Sequence, residues 1–149
     1  MTTTGTDLAT RADVHALLAR FYGRVLVDDL LAAPFTDVRE KGLDAHLPVM
    51  CDFWETVLFR AALYKGSAMA VHRQLHAKYP LRPEHFVRWL TLWSQTVDAM
   101  YHGPRADKSV VQAARIAWSM NRHVTGADDP DLTALSTKLQ DAHRDETRT

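Results

Sequence analysis

The sequence predicts an all-α fold. Three observations carry that reading. Apolar residues recur at three- and four-residue steps along four long segments. No segment alternates apolar and polar residues as a half-buried strand does. Proline and glycine fall where helices begin and end. The chain has 149 residues, which suits one domain around one core. No internal repeat or domain linker interrupts it.

Residues 1–9 read as a flexible polar tail. From Asp13 the period is helical, with Val14, Leu17, Leu18, Phe21, Val25 and Leu26 on one stripe and Tyr22 beside it. Asp28-Asp29 ends that pattern. Leu30 to Pro34 is a short apolar turn, Phe35 follows, and Thr36 to Gly42 reads as a charged connector. A second helix runs from about Leu43 to Ala61, with Leu43, Leu47, Met50, Trp54 and Val57 marking a broad face. His46, Met50, Phe53 and Val57 share a face too, so a histidine stands at the edge of an apolar helix. Pro48 is tolerated only in the first turns, so the helix starts near Ala45 or kinks there. A kink would swing His46 outward.

A short apolar helical segment carrying His72 follows Tyr64-Lys65-Gly66. The third long helix starts at Pro83, because the first turn has no use for the missing N–H. Phe86, Trp89, Leu90, Trp93, Val97, Met100 and Tyr101 form its apolar face, and Gly103-Pro104 stops it. The fourth helix, from about Ala106 to Val124, carries Val110, Val111, Ala114, Ala117, Trp118 and Met120 and closes at Gly126. The domain therefore spans 10–126. Residues 127–149 read as a tail, where Leu132, Leu135 and Leu139 permit a short docked helix but the polar end permits disorder.

Composition narrows the function. Charged residues make up 24% of the chain and the net charge is zero with neutral histidines, which argues against nucleic acid or an anionic membrane surface as partner. No apolar run reaches the length of a membrane span, and the N-terminus lacks the basic start and apolar core of a secretion signal. The single cysteine, Cys51, excludes an intramolecular disulfide and fits a reducing, cytoplasmic setting. Eight histidines are many for this length and direct attention to metal chemistry.

The stretch from Tyr64 to Trp89 concentrates that chemistry. It holds Tyr64-Lys65-Gly66, then Met69 and His72-Arg73-Gln74-Leu75, then Phe86-Val87-Arg88-Trp89-Leu90-Thr91-Leu92-Trp93. Upstream stand Phe21-Tyr22 and the block Ala45-His46-Leu47-Pro48-Val49-Met50-Cys51-Asp52-Phe53-Trp54. This ordered set resembles the truncated haemoglobins, small globins with a two-over-two helical sandwich, and within them the third group. The resemblance spans residues 8–126. The glycine pairs of the first group's helix junctions are absent, in keeping with the third group.

The resemblance implies a globin-like two-over-two helical sandwich that binds haem b, iron protoporphyrin IX, and through it dioxygen, nitric oxide or carbon monoxide. A haem iron takes an axial donor, commonly a neutral imidazole on a rigid element. His72 is the implied proximal ligand. His76, one helical turn on, is the rival, because the span from His72 to Trp89 is longer than in some members. The unbroken spacing from His46 through Trp54 and Gly66 favours His72. Tyr22, His46 and Trp89 match distal positions, where hydroxyl, imidazole and indole donors stabilise charge on a bound ligand. Phe35, Met50, Phe53, Trp54 and Val57 match apolar walls, although each also reads as ordinary core. Tyr64, Lys65, Arg73 and Tyr79 are the candidates for holding the propionates.

Nitric oxide dioxygenation or peroxidase-like turnover stays open, and turnover would need electrons. The chain carries no Gly-rich flavin or nicotinamide fingerprint, so a reductase would be a separate protein. Monomer and dimer both remain open. Two other functions compete. His72 and His76 have the i, i+4 spacing of a helical non-haem metal pair, with His85 or His46 as third ligand. Arg73 stands where a zinc protease has glutamate, and no Glu-x-x-His pair exists for a di-iron site. A cofactor-free helical interaction module is the other, and it leaves the placement of Tyr22, His46, His72 and Trp89 to coincidence.

Overall fold

A computed structural model describes residues 6–59 and 68–147, and within them leaves aside the side chains of Ala68, Met69, His72 and 144–147. The described residues form seven helices and no strand: α1 (Arg11–Val25), α2 (Thr36–Lys41), α3 (Leu43–Phe59), α4 (Ala68–Lys78), α5 (Pro83–Met100), α6 (Pro104–Thr125) and α7 (Pro130–Thr147). Among them no helix is long and apolar enough to cross a membrane.

Helix α1 begins at a capping box. Thr10 Oγ1 accepts from Asp13 N, and the Asp13 carboxylate accepts from Thr10 N at 3.1 Å, which satisfies donors a helix start leaves open. The predicted stripe is buried: Val14, Leu17, Leu18, Phe21 and Val25 are all inside. α1 packs on α3 and on α5, α5 packs on α6, and α3 reaches α6, so two helical pairs are laid across each other. Arg11 links α1 to α3 through Asp52 at 2.8 Å and through Glu55. Arg24 links α1 to α5, donating to Thr96 Oγ1 at 3.1 Å and Gln95 Oε1 at 2.9 Å.

Three segments differ from the sequence expectation. The charged connector is helix α2. It buries none of its residues, so it has no apolar period to read, and Gly42 at φ 92° ends it. Part of the expected polar tail is anchored. Leu8 is fully buried, and the Asp7 carboxylate caps α6 by accepting from Arg105 N at 3.0 Å and Ala106 N at 2.8 Å. Gly103 permits that approach, since its φ is 143° and a Cβ there would lie 2.5 Å from Asp7 Cγ. Beyond Gly126, which ends α6 at φ 81°, the chain forms the 18-residue α7. It is docked on α6 and α5: Leu132 is fully buried, and Ser136 Oγ donates to the Ala114 carbonyl at 3.3 Å.

Candidate functional site

An apolar cleft of about 50 Å³ opens between the turn before α2 and helices α4, α5 and α6. Leu31 and Phe35 line it from the turn, Leu75 from α4, His85 and Trp89 from α5, and Met120 from α6. Asp28 holds the turn in place. Its carboxylate accepts from Leu30 N and Leu31 N, both at 3.1 Å, and pairs with Arg88 of α5 at 2.7 Å. Burial pulls the Asp28 carboxyl upward, but Arg88 and the two backbone donors outweigh it and hold it below the usual value.

The sequence candidates divide into those that meet and those that do not. Tyr22 and His46 meet edge to face, with ring centroids 5.1 Å apart, and Tyr22 also touches Phe35 at 5.8 Å. α3 is helical through Pro48, and His46 is turned onto Tyr22 rather than outward. His46 Nε2 is buried with no hydrogen-bond partner. Burial holds that imidazole below its ordinary pKa, so it is neutral at neutral pH. Burial likewise pushes the Tyr22 hydroxyl far up, so it keeps its proton, and it has no hydrogen-bond partner among the described residues. Trp89 lines the cleft and reaches the same aromatic group through Phe21 at 5.8 Å.

Met50, Phe53 and Trp54 of α3 are not among the cleft's described walls. Met50 and Phe53 are half-buried against the core. Trp54 is 3% exposed and stacks on Trp93 at 4.5 Å. Tyr64, with Lys65, lies outside the described residues, and so does the side chain of His72, whose backbone is on α4. Arg73 comes within 3.5 Å of His123, while Lys78, next to Tyr79, pairs with Asp37 at 3.0 Å and so joins α4 to α2.

Two histidines have their ring chemistry decided by backbone donors. His76 Nδ1 accepts from Leu81 N at 2.8 Å, and His85 Nδ1 accepts from Arg82 N at 2.9 Å. A backbone N–H can only donate, so a neutral ring in either position carries its proton on Nε2. Burial, then the Arg82 charge, lowers the His85 pKa. Among the described side chains no three of His, Cys, Asp or Glu come together as a metal-holding group.

Sequence reasoning passed over His85, Asp28 and Arg88. His85 enters the sequence reading only as a third ligand of the non-haem alternative, whereas the structure places it in the cleft wall. The pairing of Asp28 with Arg88, sixty positions apart, has no local signal.

The helical arrangement is that of a two-over-two globin. A solved structure carries it: the chain is similar to the group III truncated haemoglobin from Campylobacter jejuni, with a TM-score of 0.73 at 20% sequence identity, covering 81% of this chain and 95% of that one. At that identity the likeness is one of fold. No family model matches the sequence, and no curated protein matches it.

Proposed function

We propose that this chain is a haem-binding globin of the truncated type, which takes haem b in the cleft and binds a diatomic gas on the side of Tyr22, His46 and Trp89. The observation that carries the reading is the buried, unpartnered His46 Nε2 set against Tyr22. A buried polar atom left unpaired costs about 1–3 kcal/mol. A ring that bears such a cost, set edge to face against Tyr22, which touches the cleft wall at Phe35, suits a ligand that would supply the missing partner. The donor set fits haem on the same ground: apolar walls for the macrocycle and neutral donors for what its iron binds.

Bound haem would supply a ferrous iron that binds dioxygen, nitric oxide or carbon monoxide. His72 would hold that iron from α4. In support, His76 Nδ1 already accepts from Leu81 N at 2.8 Å, an arrangement that would have to break for the ring to ligate iron as a neutral imidazole. Leu75 on α4 lines the cleft, so α4 borders the space the porphyrin would fill. Tyr22, protonated by burial, would donate to the ligand. His46 would donate or accept at Nε2, and Trp89 would donate its indole N–H. Phe35 would form one wall, and Met50, Phe53 and Trp54 would back the other from α3, with Tyr64 near the propionates. Catalytic turnover would draw on a separate reductase, and the cytoplasm suits a chain with one buried free thiol, Cys51.

The test is an absorption spectrum of the purified protein as isolated, after dithionite and after carbon monoxide. A strong Soret band that shifts with carbon monoxide is expected. A colourless protein that takes up no added haemin overturns the reading.

A further inference from the structure

Three indoles lie face to face from the cleft into the core. Trp89 lines the cleft. It stacks on Trp93 at 6.0 Å between centroids with 12° between planes, and Trp93 stacks on Trp54 at 4.5 Å with 14° between planes. Trp93 is 1% exposed, and its Nε1 has no hydrogen-bond partner. Phenylalanine there would strand no N–H but is smaller and would leave part of the indole's space empty, so the buried indole fills the site while carrying an unpaired donor. Trp118 has the ordinary arrangement, its Nε1 donating to Thr133 Oγ1 at 3.1 Å.

Indole is among the side chains most easily oxidised by one electron. An oxidised indole whose N–H meets an acceptor loses its proton and becomes fixed as a neutral radical. Trp93 has no such acceptor, so an electron vacancy placed there keeps its proton and stays able to move. Parallel rings at these separations overlap well enough for single-electron hops.

We propose that Trp89, Trp93 and Trp54 form a one-electron relay between the cleft and the α3 side of the molecule. It serves reduction of hydrogen peroxide by electron donors too large to enter the cleft, and it rests on the haem reading above. Hydrogen peroxide is the oxidant: each molecule takes up two electrons and two protons from solvent and leaves as two waters. With haem bound, Trp89 would pass one electron toward it, Trp93 would refill Trp89 and Trp54 would refill Trp93, and a donor docked over α3 would refill Trp54, which is 3% exposed. No bond forms or breaks in the hops. The cycle runs twice per peroxide, so two one-electron donors are oxidised.

The experiment uses haemin-loaded protein, hydrogen peroxide and ferrous cytochrome c, a protein donor that cannot enter the cleft, with hydroquinone as the small donor. Trp93→Phe and, separately, Trp54→Phe are expected to lose cytochrome c oxidation to the haemin-free background while hydroquinone oxidation persists. Trp118→Phe is expected to behave as wild type with both donors. Without any donor, peptide mass spectrometry of peroxide-treated wild type is expected to find oxygen added to buried Trp54 before the more exposed Trp118. This readout depends on no variant folding. Trp93→Phe that oxidises cytochrome c like wild type, or Trp118 modified ahead of Trp54, overturns the relay and leaves the haem reading standing. A wild type that takes up no haemin, judged by the absence of a Soret band, overturns both.

Discussion

Removing the Asp28 carboxylate should loosen the cleft from a distance. Asp28→Ala deletes two hydrogen bonds to Leu30 N and Leu31 N and the pair with Arg88. Each backbone donor left without its acceptor costs about 1 kcal/mol. Arg88 is 45% exposed on its side chain and can rehydrate, so its share is only about 0.5–1 kcal/mol. The sum is about 3 kcal/mol, which for a chain of this size lowers Tm by roughly 6–12 °C. The turn so released carries Leu31 and Phe35, so haem should also transfer faster to an apo-globin acceptor. Asp28→Asn separates charge from shape, since it keeps an acceptor oxygen. The sign with pH follows from the direction of the shift. The Asp28 carboxyl is held below its ordinary 3.8, so its contribution is present above that value and is lost as pH falls through the lower folded value. Urea melts followed by far-UV circular dichroism should show a constant gap between wild type and Asp28→Asn from neutral pH to about pH 5, closing below about pH 4. A loss under about 1 kcal/mol in Asp28→Ala, or a gap that ignores pH, would refute the clamp.

Four further outcomes are expected. Tyr22→Phe removes a buried hydroxyl donor and should speed dioxygen release by roughly 5- to 150-fold, the equivalent of about 1–3 kcal/mol, in stopped-flow traces. His72→Ala should abolish stable haem retention while His76→Ala keeps a Soret band; the reverse pattern would move the iron ligand to His76. Gly103→Ala meets φ 143°, Asp7 Cγ at 2.5 Å and Asp7 Cβ at 2.6 Å, so it should lower Tm and strip the cap from α6; on an Asp7→Ala background it should cost less, because the cap is already gone, but should still lower Tm through the backbone strain. His46→Leu should raise the unfolding free energy of the haem-free protein by about 1 kcal/mol in urea melts, because it removes an unpaired buried nitrogen, while weakening the ligand complex.

Much of this fold was legible because its long helices are amphipathic. The stripes of α1, α3, α5 and α6 could be read at a period of three to four residues, and Pro83, Gly103 and Gly126 stand where helix ends require. Helix α2 escaped because it buries nothing. Leu8 escaped because one buried residue in a polar stretch has no period, and the Asp7 cap because its partners lie nearly a hundred positions away. α7 was only half legible. Its leucines showed the stripe, but nothing local told whether α6 would offer a surface for it.

The site was legible in a different way. Tyr22, His46, Phe35 and Trp89 drew attention as an ordered pattern, and the fold brings the first three into ring contact. What no pattern could carry is which polar atoms would be left without partners. Two of the unpartnered buried atoms, His46 Nε2 and Trp93 Nε1, sit on rings that adjoin residues proposed for gas binding, Tyr22 and Trp89. His46 lies on α3, whose buried positions Leu47, Cys51, Trp54 and Leu58 are apolar, so a leucine at 46 would bury no unpaired nitrogen. On the reading proposed above, the unpaired His46 nitrogen is kept for a bound ligand, and His46→Leu asks whether stability returns when that contact is given up.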